Sequence, residues 1–361
     1  MVNPVRIGII GLGYIATNAH IPAIKKVEEA ELVAVADIDT KKLRSAERKL
    51  GKSIKFFTDY REMLEQPDLD MVTICLPSHL HGEATIQALE ANKHVLVEKP
   101  LATSLEEALE IVKLSKKFKR KVCVVQNYRY FPAVMEARKK ILEGLIGNIL
   151  SINTIAYIQP PTVSASKAWI YGPWGILDDY GPHPIDMTNL FASTAPLTVY
   201  CIRGSLRKAT SLTDARLMIT YEDETVATIG LSWLTGITKF ELTITGTAGE
   251  IILNVNLNQL IEHHGAITPY HQIKDFLNLT KRNLKNILNG TIFKGSLIYH
   301  VRLLREFIKS ISQNTEPPIT LTESLRNVAI SEAAKISLNE GKVVNLKELL
   351  KSDYSLLGKS H

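Results

Sequence analysis

The chain has 361 residues, 45% hydrophobic and 22% charged, with 20 Gly and 15 Pro; at roughly 150 residues per domain this fits about two soluble globular domains and excludes disorder, collagen and coiled coil. Apolar runs such as Val5 to Ile10 and Met71 to Leu76 fall far short of the roughly 20 residues that span a bilayer, and Met1 to Arg6 lacks the pattern of a secretory signal, so the expected compartment is the cytoplasm. The formal charge of +6 is concentrated between Lys274 and Lys309, where eight basic residues stand against two acidic ones; without a nucleic-acid motif this reads as a solvated basic helical face, contact with an anionic surface or substrate being the lesser reading.

The first third alternates short apolar runs with amphipathic stretches, the signature of parallel strands joined by crossover helices. Strands are predicted at Val5 to Ile10, Glu31 to Ala36, Lys55 to Phe57, Met71 to Leu76, His94 to Val97 and Lys121 to Gln126. Helical patterns fall near Ala19 to Glu28, Thr40 to Leu50, Tyr60 to Glu65, Gly82 to Ala91 and Ser104 to Phe118. The expected fold class is α/β, beginning with a doubly wound parallel sheet of Rossmann type.

Directly after the first strand, Gly11, Gly13 and Ala16 form G-x-G-x-x-A with Tyr14 and Ile15 inside the turn. Gly11 permits the tight turn, Gly13 lets the backbone approach a pyrophosphate, and Ala16 allows close helix packing while the helix N-terminus faces the phosphates. Asp37 follows 21 residues beyond Ala16, where a carboxylate can accept hydrogen bonds from a ribose diol and repel a 2'-phosphate. The expected cofactor is therefore NAD rather than NADP. Helix capping is the competing job for Asp37, with Asp39 and Thr40 as rivals. Pro77, Ser78, His79 and His81 follow the fourth strand and count with the cofactor-contacting residues. Glu98-Lys99-Pro100 ends the fifth strand, so that Lys99 can reach a substrate hydroxyl and Pro100 fixes the turn.

After a helix at Phe131 to Gly144 the pattern changes to successive strands: Ile149 to Ile158, Thr198 to Leu206, Ala215 to Tyr221, Thr225 to Trp233, Lys239 to Thr245 and Glu250 to Asn254. A large, mostly antiparallel sheet is expected, with helices at Pro184 to Phe191, Tyr299 to Ser312 and Thr322 to Leu338. The expected division is a nucleotide-binding domain at 1–128 and a substrate-binding and oligomerisation domain at 129–361, with a cleft between them. Cys75, Cys123 and Cys201 each sit in an apolar run and read as buried thiols.

The run from Gly175 to Asp186 places Asp179 four residues before His183 and puts His183 in the first turn of a helix. An imidazole with a nearby carboxylate is a general acid/base pair near neutral pH, although Asp179 as a cap and His183 as a packed residue fit the spacing equally well. No metal site is expected, because neither His79 with His81 nor His263 with His264 has ligand spacing.

GIIGLGYIA, PSHLH, KHVLVEKPLA and Asp179-x-Gly181-x-His183-x-x-Asp186, in that order, resemble the glucose-fructose oxidoreductase, inositol dehydrogenase and MocA (Gfo/Idh/MocA) family over nearly the whole chain. The resemblance implies an oxidoreductase acting on a secondary alcohol of a sugar, cyclitol or sugar derivative, assembled as a homodimer or homotetramer. It implies that Lys99 binds the reacting hydroxyl and that His183 takes its proton with help from Asp179. Arg129, Trp169 and Asp186 are further candidates in or near the substrate pocket, Arg129 equally as an interdomain residue. Gly172-Pro173-Trp174-Gly175 departs from the family's glycine-rich stretch. Trp174, with Trp169 and Tyr171, either narrows the pocket and stacks on a sugar ring or fills core. An NAD-dependent glycoside hydrolase and a cofactor-sensing regulator are the alternatives within this resemblance.

Overall fold

The computed structural model describes residues 4–160, 170–204, 210–265, 268, 273, 277, 279–281 and 297–358. It divides into two compact units, Met1–Asn127 with Lys294–Val328, and Tyr128–Phe293 with Ala329–His361.

Six parallel strands build the first unit: β1 (Val5–Ile10), β2 (Ala30–Ala36), β3 (Lys55–Phe57), β4 (Met71–Ile74), β5 (His94–Glu98) and β6 (Val122–Val125). Their order in the sheet is β3-β2-β1-β4-β5-β6, the doubly wound arrangement with its switch point between β1 and β4. Ile7, Ile9, Ile10, Met71, Val72, Ile74, Val95 and Val97 are essentially inaccessible. Covered on both faces, such strands need unbroken apolar runs rather than alternation, and each buried aliphatic side chain contributes about 1.5–3 kcal/mol.

The crossover helices begin at sequence-encoded caps. Asp39 accepts the Lys41 N–H ahead of α2 (Thr40–Leu50), and Asp59 accepts that of Arg61 ahead of α3 (Tyr60–Leu64). Ser104 accepts the Glu107 N–H ahead of α5 (Leu105–Phe118), which follows α4 (His81–Glu90), half of a capping box. The first helix departs from the regular pattern, since Ala16–His20 is wound wide as a π-turn before α1 (Ile21–Ile24) continues it.

In the second unit α6 (Pro132–Leu142) precedes β7 (Ile149–Tyr157), α7 (Gly175–Asp179) and α8 (Pro182–Phe191). Strands β8 (Pro196–Arg203), β9 (Asp214–Tyr221), β10 (Val226–Ser232), β11 (Lys239–Gly246), β12 (Glu250–Asn254) and β13 (Gln259–His263) follow. The eight-stranded sheet runs β13-β12-β11-β7-β10-β9-β8 and ends on a two-residue strand, β14 (Val344–Asn345). Within this second sheet β7 with β10 is the only parallel pair among the described strands. Burial alternates along β11, where Phe240, Leu242 and Ile244 face the core, as a sheet covered on one face requires. Helix α8 packs on β7, β10 and β11.

The late helix α9 (Leu297–Ser312) returns to the first unit and packs on α1 and β6. Two continuous stretches at 1–128 and 129–361 do not describe this arrangement, because an amphipathic helix does not announce which sheet it will cover. Helices α10 (Leu321–Glu340) and α11 (Leu346–Leu350) follow, and a 3-10 helix at Lys351–Leu357 comes after them. The three cysteines are buried free thiols. Of the basic stretch 274–309, only 277, 279–281 and 297–309 lie among the described residues, and there Arg302 pairs with Glu306 along the face of α9.

Candidate functional site

In the first unit the candidate residues gather beyond the carboxyl ends of the strands. Gly11 adopts φ +91°, and a Cβ there would stand 2.8 Å from the Cys75 carbonyl oxygen, so only glycine fits. Gly13 is open, with 4.0 Å to the nearest atom a Cβ would meet. The backbone at this turn can therefore be approached closely, as a pyrophosphate requires. Tyr14 is 73% exposed on the rim and Ile15 is half-buried.

Asp37 follows β2 with its carboxylate turned onto the glycine turn. Its Oδ2 accepts the Leu12 N–H at 2.7 Å, and its Oδ1 accepts that of Asp39 at 2.8 Å. Helix capping falls to Asp39 instead. The capping alternative for Asp37 is thereby removed.

The loop after β4 places Pro77 half-buried, Ser78 buried and His79 exposed. His81 differs from the expectation of a cofactor-contacting side chain. It is 1% exposed, and its Nδ1 and Nε2 lie 2.7 and 2.8 Å from the carbonyl oxygens of Pro100 and Leu76. Both ring nitrogens thus face backbone acceptors, and the imidazole pins the turn after Lys99 to the loop after β4. Burial holds the His81 pKa below its ordinary value.

Lys99 stands one residue past β5 and is half-buried. Its neighbour Glu98 is occupied by a group that the sequence does not announce: His20 Nε2 lies 2.7 Å from Glu98 Oε1. The His300 ring from α9 stands edge-on to His20, with 5.2 Å between centroids. Ligand-type atoms of His20, Glu98 and His300 all fall within 4.8 Å of one another. This set is assembled from three separated stretches of chain, so ligand spacing along the sequence could not reveal it.

In the second unit Asp179 is the last residue of α7 and His183 the second of α8, with only Tyr180 and Gly181 between the helices. Two tyrosines flank the imidazole, with centroid distances of 4.6 Å to Tyr128 and 5.5 Å to Tyr180. The two phenols hydrogen-bond each other, and burial pushes both above the ordinary tyrosine range. Arg129, expected at the substrate or between domains, is 8% exposed and gives its guanidinium to Asp186 within the second unit. Nε–Oδ2 and Nη2–Oδ1 distances of 2.8 and 2.6 Å make a bidentate buried pair.

Gly175 adopts φ +34°, and a Cβ there would collide with Ser211 and Leu212. Ser211 Oγ donates to the Gly172 carbonyl at 2.9 Å, and the Leu212 N–H donates to that of Pro173 at 3.0 Å. The Gly172–Gly175 stretch is thus stitched to the segment before β9. Trp174 precedes α7 and is half-buried, while Tyr171 is 40% exposed beside Trp233. Trp169 lies outside the described residues.

Residues 5–126 match the oxidoreductase family with an NAD-binding Rossmann fold, and residues 134–252 match the GFO/IDH/MocA C-terminal domain. The uncharacterized oxidoreductase YrbE of Bacillus subtilis is 26% identical over 350 residues, 94% of this chain and 96% of that one. Myo-inositol 2-dehydrogenase of Thermotoga maritima is 31% identical over 186 residues, 51% of this chain and 54% of that one. Several curated relatives are thus matched over little more than half of their length. The WlbA dehydrogenase of Bordetella pertussis, solved with NADH and UDP-GlcNAcA, shares the fold with a TM-score of 0.80 at 22% identity, covering 95% of this chain and 98% of that one. The chain belongs to the Gfo/Idh/MocA oxidoreductase family, with an NAD-binding Rossmann fold in its N-terminal part.

Proposed function

We propose that this protein transfers a hydride between NAD and a secondary alcohol of a sugar, cyclitol or sugar derivative. The observation that carries the reading is the placement of Lys99 just past β5, in the same sheet whose glycine turn is tied to Asp37. Cofactor-type and hydroxyl-binding groups then share the carboxyl ends of one parallel sheet, where ligands bind in such folds. The residues present fit a dinucleotide: an open Gly13, a Gly11 that accepts no Cβ, and a carboxylate at the end of β2. Asp37 would hold the adenosine ribose and favours NAD over its 2'-phosphorylated form. Tyr14, Ile15, Pro77, Ser78 and His79 complete the cofactor-facing set, while the Glu98 carboxylate is turned onto His20 and His81 shapes the set through the backbone.

Bound nicotinamide supplies the hydride acceptor or donor. In the oxidation direction, the Lys99 ammonium donates a hydrogen bond to the reacting hydroxyl and favours its alkoxide character. His183 takes the hydroxyl proton, and Asp179 stabilises the imidazolium that results. The tyrosines around His183 limit the rotation of its ring. Trp174 is the sugar-facing aromatic of this reading, with Trp169 as its further candidate, whereas Arg129 acts through the guanidinium it gives to Asp186. Sugar-type substrates are supported by the names of relatives, which include myo-inositol 2-dehydrogenase, levoglucosan dehydrogenase and glucose-6-phosphate 3-dehydrogenase.

The half-exposed residues Tyr200, Ile202 and Met218 on β8 and β9 are the surface on which a second copy of the chain would sit, as dimer or tetramer. Three buried free thiols suit the cytoplasm, where cysteines stay reduced. No helix among the described residues is long and apolar enough to cross a membrane.

Anaerobic incubation with NAD and a panel of myo-inositol, levoglucosan, glucose 6-phosphate and nucleotide sugars, followed by NADH absorbance, tests the reading. One of these alcohols should reduce NAD, and Lys99→Ala and His183→Ala should each lower that rate by about 10²-fold or more. NAD bound without turnover of any member, or variants that keep the parent rate, would overturn it.

A further inference from the structure

Asp37 has a third partner besides the Leu12 and Asp39 backbone. The Lys42 ammonium donates to Asp37 Oδ2 at 3.2 Å, the same oxygen that accepts the Leu12 N–H. A carboxylate offers about four acceptor positions, and three are now filled, two of them by backbone groups fixed in place. A ribose diol brings two donating hydroxyls, so Lys42 must release Oδ2 before both can bind. It is built to do so. Its side chain is 47% exposed while that of Asp37 is 6% exposed, and an exposed ammonium on a flexible stem is weakly held. Capping of α2 is carried by Asp39, which leaves Lys42 without a structural task in the helix start. The released ammonium stays on the first turn of α2, beside the carboxylate that holds the diol. A 2'-phosphate arriving there would be repelled by Asp37 alone, but with Lys42 present it meets a donating cation as well.

We infer that Lys42 is a specificity-determining residue for the cofactor, offsetting Asp37 so that the chain accepts a 2'-phosphorylated dinucleotide alongside NAD. The inference rests on the reading of Asp37 given above and narrows the preference that Asp37 confers.

Calorimetric titration of the whole protein with NAD, NADP, 5'-AMP and 2',5'-ADP tests it without any substrate. The parent should bind NADP within about thirtyfold of NAD. Lys42→Ala should raise the ratio of NADP to NAD dissociation constants at least about fivefold, with the same shift between 2',5'-ADP and 5'-AMP, while Lys42→Arg stays close to the parent. Asp37→Ser separates the two layers: it should weaken NAD about tenfold or more, and unchanged NAD binding would sink the Asp37 reading whatever Lys42 does. With Asp37 upheld, a smaller ratio shift in Lys42→Ala, or NADP bound more weakly than the stated limit by the parent, overturns the role of Lys42. A parent that binds neither dinucleotide overturns both.

Discussion

His20 Nε2 stands 2.7 Å from Glu98 Oε1, with side chains 4% and 14% exposed, so the residue before Lys99 carries its own internal counter-charge. Burial alone would push the imidazole down. The Cys75 sulfur and the Glu98 carboxylate outweigh it and raise the His20 pKa to about 10. Burial would likewise raise Glu98, yet the His20 hydrogen bond and the nearby charge of His20 hold it below its ordinary value.

His20→Ala should therefore destabilise the protein by about 3–5 kcal/mol at pH 7, the usual cost of stranding one member of a buried pair. The sign of its pH dependence follows from the raised imidazole. The stabilisation is complete below pH 6.5 and is lost as pH climbs toward about 10. Urea unfolding of parent and variant at pH 7 and pH 10 checks this, and a gap that does not narrow at pH 10 would count against the pair.

His94 has the opposite sign. Burial, followed by the charges of Arg120 and Lys121, lowers it to about 4, while its Nδ1 accepts the Lys121 N–H at 3.0 Å. The neutral ring contributes stability above pH 6.5 that is lost as pH falls toward about 4. His94→Gln should flatten that acid limb by about 2–3 kcal/mol. Melting temperatures of both proteins across this window would show it, and parallel curves would refute it.

Arg129 and Asp186 form a buried pair within the second unit. Arg129→Met should cost about 3–5 kcal/mol by leaving the carboxylate uncompensated, and adding Asp186→Leu should recover part of the loss. Denaturant midpoints of the two variants decide the matter. A double variant no more stable than the single one would mean that the pair is not the dominant interaction of either residue.

Gly11→Ala should weaken dinucleotide binding about tenfold or more and destabilise the fold by about 1–3 kcal/mol, because its Cβ would press on the Cys75 carbonyl at positive φ. Fluorescence titration with NAD, beside a thermal melt, separates the two effects. Wild-type affinity would show that the turn yields without consequence.

The parallel sheet was legible because its strands are covered on both faces, which leaves buried apolar runs such as Ile7–Ile10 and a glycine turn directly after them. The glycine turn and the carboxylate tied to it were legible for the same reason: Asp37 follows β2 closely enough to accept the Leu12 N–H. Strand β13 was not, since among its five residues only Leu260 is buried, and β14 has two residues and no period. Helix α7, five residues long with a positive-φ glycine at its start, carries no helical signature. The partners of Glu98 and Asp37 escaped notice because His20, His300 and Lys42 read locally as ordinary helix residues. Only the folded chain shows which carboxylate each one meets.

The return of α9 to the first unit has a consequence for synthesis. Strand β6 ends at Val125, but the helix that packs on it and on α1 does not begin until Leu297. At 5–20 residues per second, roughly nine to thirty-five seconds of translation separate the two. During that interval the nascent Rossmann sheet has His20 and Glu98 in place without His300, and the side of α1 that α9 will cover is bare. A chaperone that shields this helix, or a delay in its final packing, would act on the emerging chain well after all six strands had left the ribosome.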